Sequence, residues 1–207
     1  MISGQTISDF LTDLAARTPA PGGGATAAVH AAQAAALVGM VARYSDGARF
    51  ADHAEEISQI VTAADRLWTE AVRIAEADAE AFSAVVEGYA LPRSTDDEKA
   101  ARATAIAAAL REACEPPVAV IETTAEVVSL AERILPIGSR SVITDVAAAA
   151  EAARAAATTA RVNVEVNLGG IRDEGAQAAF SASTRSVDLI VERAEKVTAA
   201  VREELVA

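Results

Sequence analysis

Cysteine, aromatic residues and histidine are all scarce in this chain of 207 residues: one Cys, seven Phe, Trp and Tyr together, and two His. The lone Cys114 allows no disulfide within the chain and no cysteine-based zinc site, so nothing points to an oxidising compartment. An aromatic content of 3% supplies no platforms for base stacking. Positive charge is also in deficit. Eighteen Lys and Arg stand against thirty Asp and Glu, a net charge of −12, which argues against a duplex nucleic-acid or anionic-membrane binder. No His-x-x-x-His, Cys-x-x-Cys or Ser/His/Asp spacing suggests a metal site or an acyl-transfer triad. Residues 1–9 lack the basic and apolar regions of a secretory signal, so the expected location is cytoplasmic.

What the chain has in excess is alanine, 53 residues of it. Alanine is the strongest helix former because it loses no side-chain entropy, yet it buries little area per residue. Such a chain needs many long helices in contact, or a second subunit. The run Ala25–Ala42 has spanning length and no formal charge, but Thr26, His30, Gln33 and its alanines gain little in lipid. It reads as an all-round buried helix of a soluble bundle.

Breakers divide the rest. A short helix begins near Ser8 and stops before Pro19 and Pro21; Pro21-Gly22-Gly23-Gly24 is a sharp break; a second helix runs from about Ala25 to Tyr44. From Phe50 to Val86 apolar residues recur at three- and four-residue steps, predicting one helix of roughly 55 Å at 1.5 Å per residue. Gly88–Ser94 reads as a loop, and Thr95 followed by three acids as a helix start. Further helices are expected up to Glu115, from Pro117 to about Leu135, from about Ser141 to Leu168, and from Glu174 to Leu205. The expectation is all-α: one domain over residues 1–207, an up-and-down bundle of long alanine-rich helices that dimerises.

Three features carry chemistry beside their bland alternatives. The run Gly22 to Gly24 before a helix offers close backbone approach and unpaired N–H groups, suited to an anion or a carbonyl; a tight turn is the alternative. Asp78 takes an apolar-face position mid-helix, where a carboxylate is costly unless paired or protonated; an interhelical hydrogen bond is the alternative. Asp145 begins a helix, where an acid also simply offsets the helix dipole. Asn163 shares the helical face of Asp145 but lies roughly 27 Å along the axis. Either one of the two is structural, or a site is assembled across a dimer. Arg43, Arg49, Arg93 and Arg140 lie near helix ends or loops, as ligand contacts or ordinary surface charges.

Five segments recur together in a known order: Pro-Gly-Gly-Gly-Ala-Thr-Ala-Ala at 21–28, Asp-Ala-Glu-Ala-Phe at 78–82, Leu-Pro-Arg-Ser-Thr-Asp-Asp-Glu-Lys at 91–99, Ser-Val-Ile-Thr-Asp at 141–145 and Asn-Val-Glu-Val-Asn-Leu at 163–168. With these the chain resembles the cyclodeaminase/cyclohydrolase family over nearly its whole length. The resemblance implies a helical homodimer acting on a folate-bound one-carbon unit, with a tetrahydrofolate derivative as substrate and no metal or other cofactor. It implies hydrolysis of 5,10-methenyltetrahydrofolate to 10-formyltetrahydrofolate. The alternatives are cyclodeamination of the formimino derivative with release of ammonia, or a folate-binding or structural dimer without catalysis. Carried over by position, Asp145 and Asp78 are the carboxylates, either of them the base. Backbone N–H groups of Gly22, Gly23 and Gly24 hold a ligand oxygen, Arg49 or Arg93 holds the glutamate tail, and Asn163 is a further polar position. Gly138-Ser139 stands where members often have Gly-Asn, and Ser45–Arg49 where some are lysine-rich.

Overall fold

The computed structural model describes residues 1–206, among which there are seven α-helices and no strand. They are α1 (Ile7–Ala15), α2 (Gly23–Arg43), α3 (Ala54–Ala90), α4 (Asp96–Glu112), α5 (Glu115–Ile134), α6 (Ile143–Leu168) and α7 (Glu174–Val206), with short 3-10 segments at Ile2–Gly4, Ala48–His53 and Arg140–Val142. Local chemistry sets the starts. Thr6 with Asp9, and Thr95 with Glu98, close reciprocal capping boxes on α1 and α4. Pro116 and Pro117 fall in the first turn of α5, where their missing N–H groups are not needed.

Three boundaries differ from the sequence reading, the first being the start of α3 at Ala54, since Phe50 lies in the preceding 3-10 segment Ala48–His53. Gly23 and Gly24 are the first turn of α2 rather than a break before it, and among the described residues only Gly47 has a positive φ. The turn is closed by Thr26, whose hydroxyl donates to the Gly22 carbonyl at 2.9 Å. Gly88 lies inside α3, not in the following loop. Its bare surface lets Ile106 of α4 approach to within 3.4 Å of where a Cβ would stand, so it thins the helix for packing instead of ending it.

α2 is the core helix, packed by α3, α5 and α6. Ala25, Ala27, Ala28, Ala31, Ala34, Ala35, Val38 and Val41 are completely buried. It is long and apolar enough to cross a membrane, with a mean hydropathy of 1.5, but its apolarity is used within the bundle. Small side chains set the spacing: a Cβ on Gly39 would lie 3.2 Å from that of Ala64 in α3.

Cross-contacts give the helix directions. Gly24 meets Asp78 and Gly39 meets Ala64, so α2 and α3 are antiparallel. Gly23 meets Asn163, while Ser45 after the other end of α2 accepts from the Ser139 N–H just before α6, so α2 and α6 are antiparallel. Arg161 pairs with Asp188 and Glu151 with Thr198, setting α7 antiparallel to α6. Opposite the long α3 stand two helices in succession. α4 covers its C-terminal half through Ile106, and α5 its N-terminal half through Glu126–Arg66 and Arg133–Glu56. The up-and-down bundle thus has one leg broken into two, and the break, Ala113–Cys114, falls beside Val164 of α6. Beyond it, Val85, Ala109, Leu110 and Ala113 form a small cluster separate from the main core.

Candidate active site

Helix starts and ends concentrate at that break. α2 begins there, α4 gives way to α5, and α6 approaches its end. Between them lies a cleft of about 130 Å³ lined by Pro19, Ala20, Gly22, Gly23, Gly24, Asp78, Phe82, Ala113, Asn163, Val166 and Asn167. Asp78 reaches it from the middle of α3, where helical periodicity turns it toward α2.

Gly24 is what allows the carboxyl to sit there. A Cβ on Gly24 would fall 2.0 Å from Asp78 Oδ1 and 2.4 Å from its Cγ, well inside contact distance. The absent side chain is therefore the space that Asp78 occupies. Burial pushes the Asp78 carboxyl above its ordinary value, and a hydrogen bond from the Ala25 backbone N–H in the first turn of α2 offsets part of that rise. The other two glycines carry a lighter constraint. A Cβ on Gly23 would meet only Asn163, at 3.5 Å, and one on Gly22 would meet nothing within 4 Å.

α6 supplies the amides. Asn163 Nδ2 donates to the Thr159 carbonyl at 2.9 Å. Asn167 Nδ2 donates to both the Asn163 and Ala113 carbonyls, at 3.0 and 3.3 Å. Both N–H bonds of Asn167 are thereby used, and Oδ1 is left as an acceptor. Asn167 also ties α6 to the end of α4. Next to it Cys114 is buried, and burial together with the neighbouring Glu115 pushes its thiol up to about 11, so it is a neutral packing group.

The residues singled out from sequence divide between two ends of the molecule. Gly22, Gly23, Gly24, Asp78 and Asn163 come together in the cleft. Asp145 is in the first turn of α6, at the opposite end of that helix from Asn163. Arg49 is at Asp145's end of the bundle: its guanidinium donates to Ser139 Oγ at 3.2 Å and lies 4.4 Å over the Phe50 ring. Arg93 is exposed in the α3–α4 loop and does not line the cleft. Phe82, Val166 and Asn167 were not among the predicted site residues. Asn167 was legible as the i+4 neighbour of Asn163, whereas Phe82 follows the same apolar period as the core and so reads as core.

A larger groove of about 530 Å³ shares Ala20 with the cleft, and it includes Asp13, Glu76, Glu80 and Glu87 among its lining. Glu76 there is held by the N–H and hydroxyl of Ser3 at 3.0 and 2.7 Å. With four carboxyl groups this groove repels an anionic ligand, so the smaller cleft is the better candidate. No group of three or more His, Cys, Asp and Glu side chains able to hold a metal ion occurs among the described residues.

Gly24→Ala tests the geometry directly. The methyl group must displace the carboxyl of Asp78, and a misplacement of about 1 Å commonly costs up to ~100-fold in rate. Alanine in place of helical glycine otherwise favours the fold by about 1 kcal/mol at most. The expected variant is therefore folded, with a melting temperature near that of the wild type and kcat/KM reduced roughly 10- to 100-fold. Unchanged turnover would remove Asp78 from the chemistry.

Three comparisons with known proteins agree. The sequence profile of the family described as formiminotransferase-cyclodeaminase matches residues 6–186. A methenyltetrahydrofolate cyclohydrolase of Methylorubrum extorquens is 38% identical over 174 residues, 84% of each chain. The formimidoyltransferase-cyclodeaminase of Sus scrofa is 30% identical over 95% of this chain, which spans 36% of that longer protein. The crystal structure of a formiminotetrahydrofolate cyclodeaminase from Thermotoga maritima superimposes with a TM-score of 0.87 over the whole of both chains, at 26% identity.

Proposed function

Because the chain belongs to the formiminotransferase-cyclodeaminase family, we propose that it is a folate one-carbon enzyme that hydrolyses 5,10-methenyltetrahydrofolate to 10-formyltetrahydrofolate. The observation that carries this reading is the partly desolvated carboxyl of Asp78, set against bare glycine backbone in a cleft of a chain that matches a stand-alone cyclohydrolase along most of both lengths.

The methenyl carbon is an amidinium carbon between two nitrogens and is already electrophilic, so the reaction calls for no metal. An Asp78 carboxylate faces that positive charge and stabilises it. It then takes a proton from the attacking water as the C–O bond forms. Collapse of the tetrahedral intermediate breaks the bond from carbon to N5, which receives a proton, and leaves the formyl group on N10. Unpaired N–H groups in the first turn of α2 hold a ligand oxygen.

A second reading uses the same site for cyclodeamination. It is favoured by the whole-chain match to the Thermotoga cyclodeaminase and by the raised proton affinity of Asp78, whose neutral form can protonate departing ammonia. Purified protein mixed with methenyltetrahydrofolate should accelerate loss of the methenyl chromophore in proportion to enzyme concentration. Ammonia release from the formimino derivative is measured alongside. Decay at the buffer rate would sink the cyclohydrolase reading, and ammonia release without it would install the second.

Asp145 and Arg49 belong to the proposal only through a homodimer. α1 buries no residue within the protomer, and Ile7 is 81% exposed. On the core helix the half-buried Val29, Leu37 and Met40 flank the exposed Gln33 and Ala36. A second copy covering these surfaces would bring the partner subunit's Asp145 and the partner subunit's Arg49 to the Asp78 cleft. The arginine would then be placed for the glutamate tail, and Arg93 stays an alternative tail contact from the rim. A cytoplasmic location completes the reading, supported by the lone, buried Cys114.

A further inference from the structure

We propose that Phe82 and Val166 form an apolar slot that grips the flat pterin ring of the substrate, making Phe82 a specificity-determining residue. This rests on the folate reading above.

The cleft is polar at its inner end and apolar at its mouth. Phe82 follows Asp78 by one helical turn on α3, so both face the same way, and both line the cleft. On α6, Val166 precedes Asn167 and lies one turn after Asn163, repeating the arrangement of a polar group inside and an apolar group outside. These apolar side chains are not core. Phe82 is 45% exposed, Val166 is 74% exposed and Val162 on the same helix is 60% exposed. Large apolar groups held in water at the mouth of a polar cleft are the signature of a surface completed by a ligand.

The shape of the remaining wall selects the ligand. Gly22 and Gly23 line the same cleft as Phe82 and present backbone with no side chain there. A planar heterocycle meets a ring edge or face on one side and bare peptide on the other. Its polar rim would face Asn163, the Asn167 Oδ1 acceptor and Asp78, which suits a bicycle bearing N–H donors. A flexible aliphatic tail gains little from such a slot, and an anionic one is repelled by the acid-lined groove next to it.

Calorimetric binding separates the slot from the reaction. The probes are pterin-6-carboxylate, which carries the ring without the tail, and p-aminobenzoylglutamate, which carries the tail without the ring. Phe82→Ala should weaken pterin binding about tenfold or more and leave the tail fragment unchanged, while Phe82→Tyr restores the pterin affinity. In turnover, the loss in Phe82→Ala should fall on KM rather than on kcat. Pterin binding by the wild type without any turnover keeps the slot and rejects the proposed reaction. Equal pterin affinity in wild type and Phe82→Ala, or no pterin binding by the wild type, overturns the slot. So does a drop in mass by light scattering in Phe82→Ala that accounts for its weaker binding, because Phe82 would then be a subunit contact.

Discussion

Asp78→Asn is expected to lower kcat/KM by about 10²- to 10⁴-fold, the usual span for loss of a general acid or base, and to raise the melting temperature at pH 7. The two effects share one cause. Burial holds the Asp78 carboxyl above its ordinary 3.8 in the folded chain. The native state therefore binds the proton more tightly than the unfolded state. Stability from that group is fully present below the unfolded pKa of about 4 and is lost as pH rises through the higher folded value. At pH 7 the ionised side chain thus destabilises the fold. The amide is isosteric, still accepts from the Ala25 N–H, and has no charge to desolvate. Melting curves at pH 7 and pH 3.5 check the sign: the variant should be the more stable at the first and lose that advantage at the second. In the wild type kcat/KM should rise with pH through the folded pKa as the carboxylate forms. An amide variant that melts lower at pH 7 would mark Asp78 as a structural hydrogen-bonding group.

Mixing two inactive variants should recover activity. If the partner subunit's Asp145 completes each site, Asp78→Asn and Asp145→Asn homodimers are both impaired, because each lacks one carboxylate at both sites. After subunit exchange about half the dimers are mixed. Each mixed dimer concentrates both substitutions in one site and leaves the other intact, so turnover should return to about a quarter of the wild-type value. Light scattering on the wild type should give twice the 21.2 kDa chain mass. Mixtures that exchange yet stay inactive would place Asp145 outside the site. An Asp145→Asn variant with full turnover and a small loss of stability would reduce it to offsetting the dipole of α6.

Much of the helical framework was legible because breakers and caps are local. Pro116-Pro117, Gly169-Gly170 and the acids after Thr95 mark their boundaries with little help from the rest of the fold. The glycine run was legible as special, but as a break before the helix rather than as its first turn. Glycine signals low propensity equally well at a turn and at a helix start that something else must approach, and only the tertiary contact with Asp78 tells them apart. Asp78 stood out because an acid broke an apolar period. Phe82 did not, since a three- and four-residue recurrence reports which side of α3 faces the bundle, not whether that side meets core or cleft. The division of Asn163 from Asp145 followed from the rise of one helix, whereas the distance of Asp78 from Asp145 and the position of Arg49 beside Ser139 depended on contacts between remote segments.

The broken leg opposite α3 separates the molecule energetically as well as in shape. α4 buries only Ala109 and Leu110, and its satellite cluster shares no residue with the main core. The hairpin of α4 and the end of α3 is therefore expected to open at a lower free energy than global unfolding, its amides exchanging with solvent faster than those of α2. Its pivot is Ala113–Cys114, and Asn167 clasps that pivot through the Ala113 carbonyl. One wall of the cleft thus belongs to the weakly held unit and the others to the rigid one. A ligand lodged between them would bridge the two, so exchange of the α4 amides with solvent should slow when one binds.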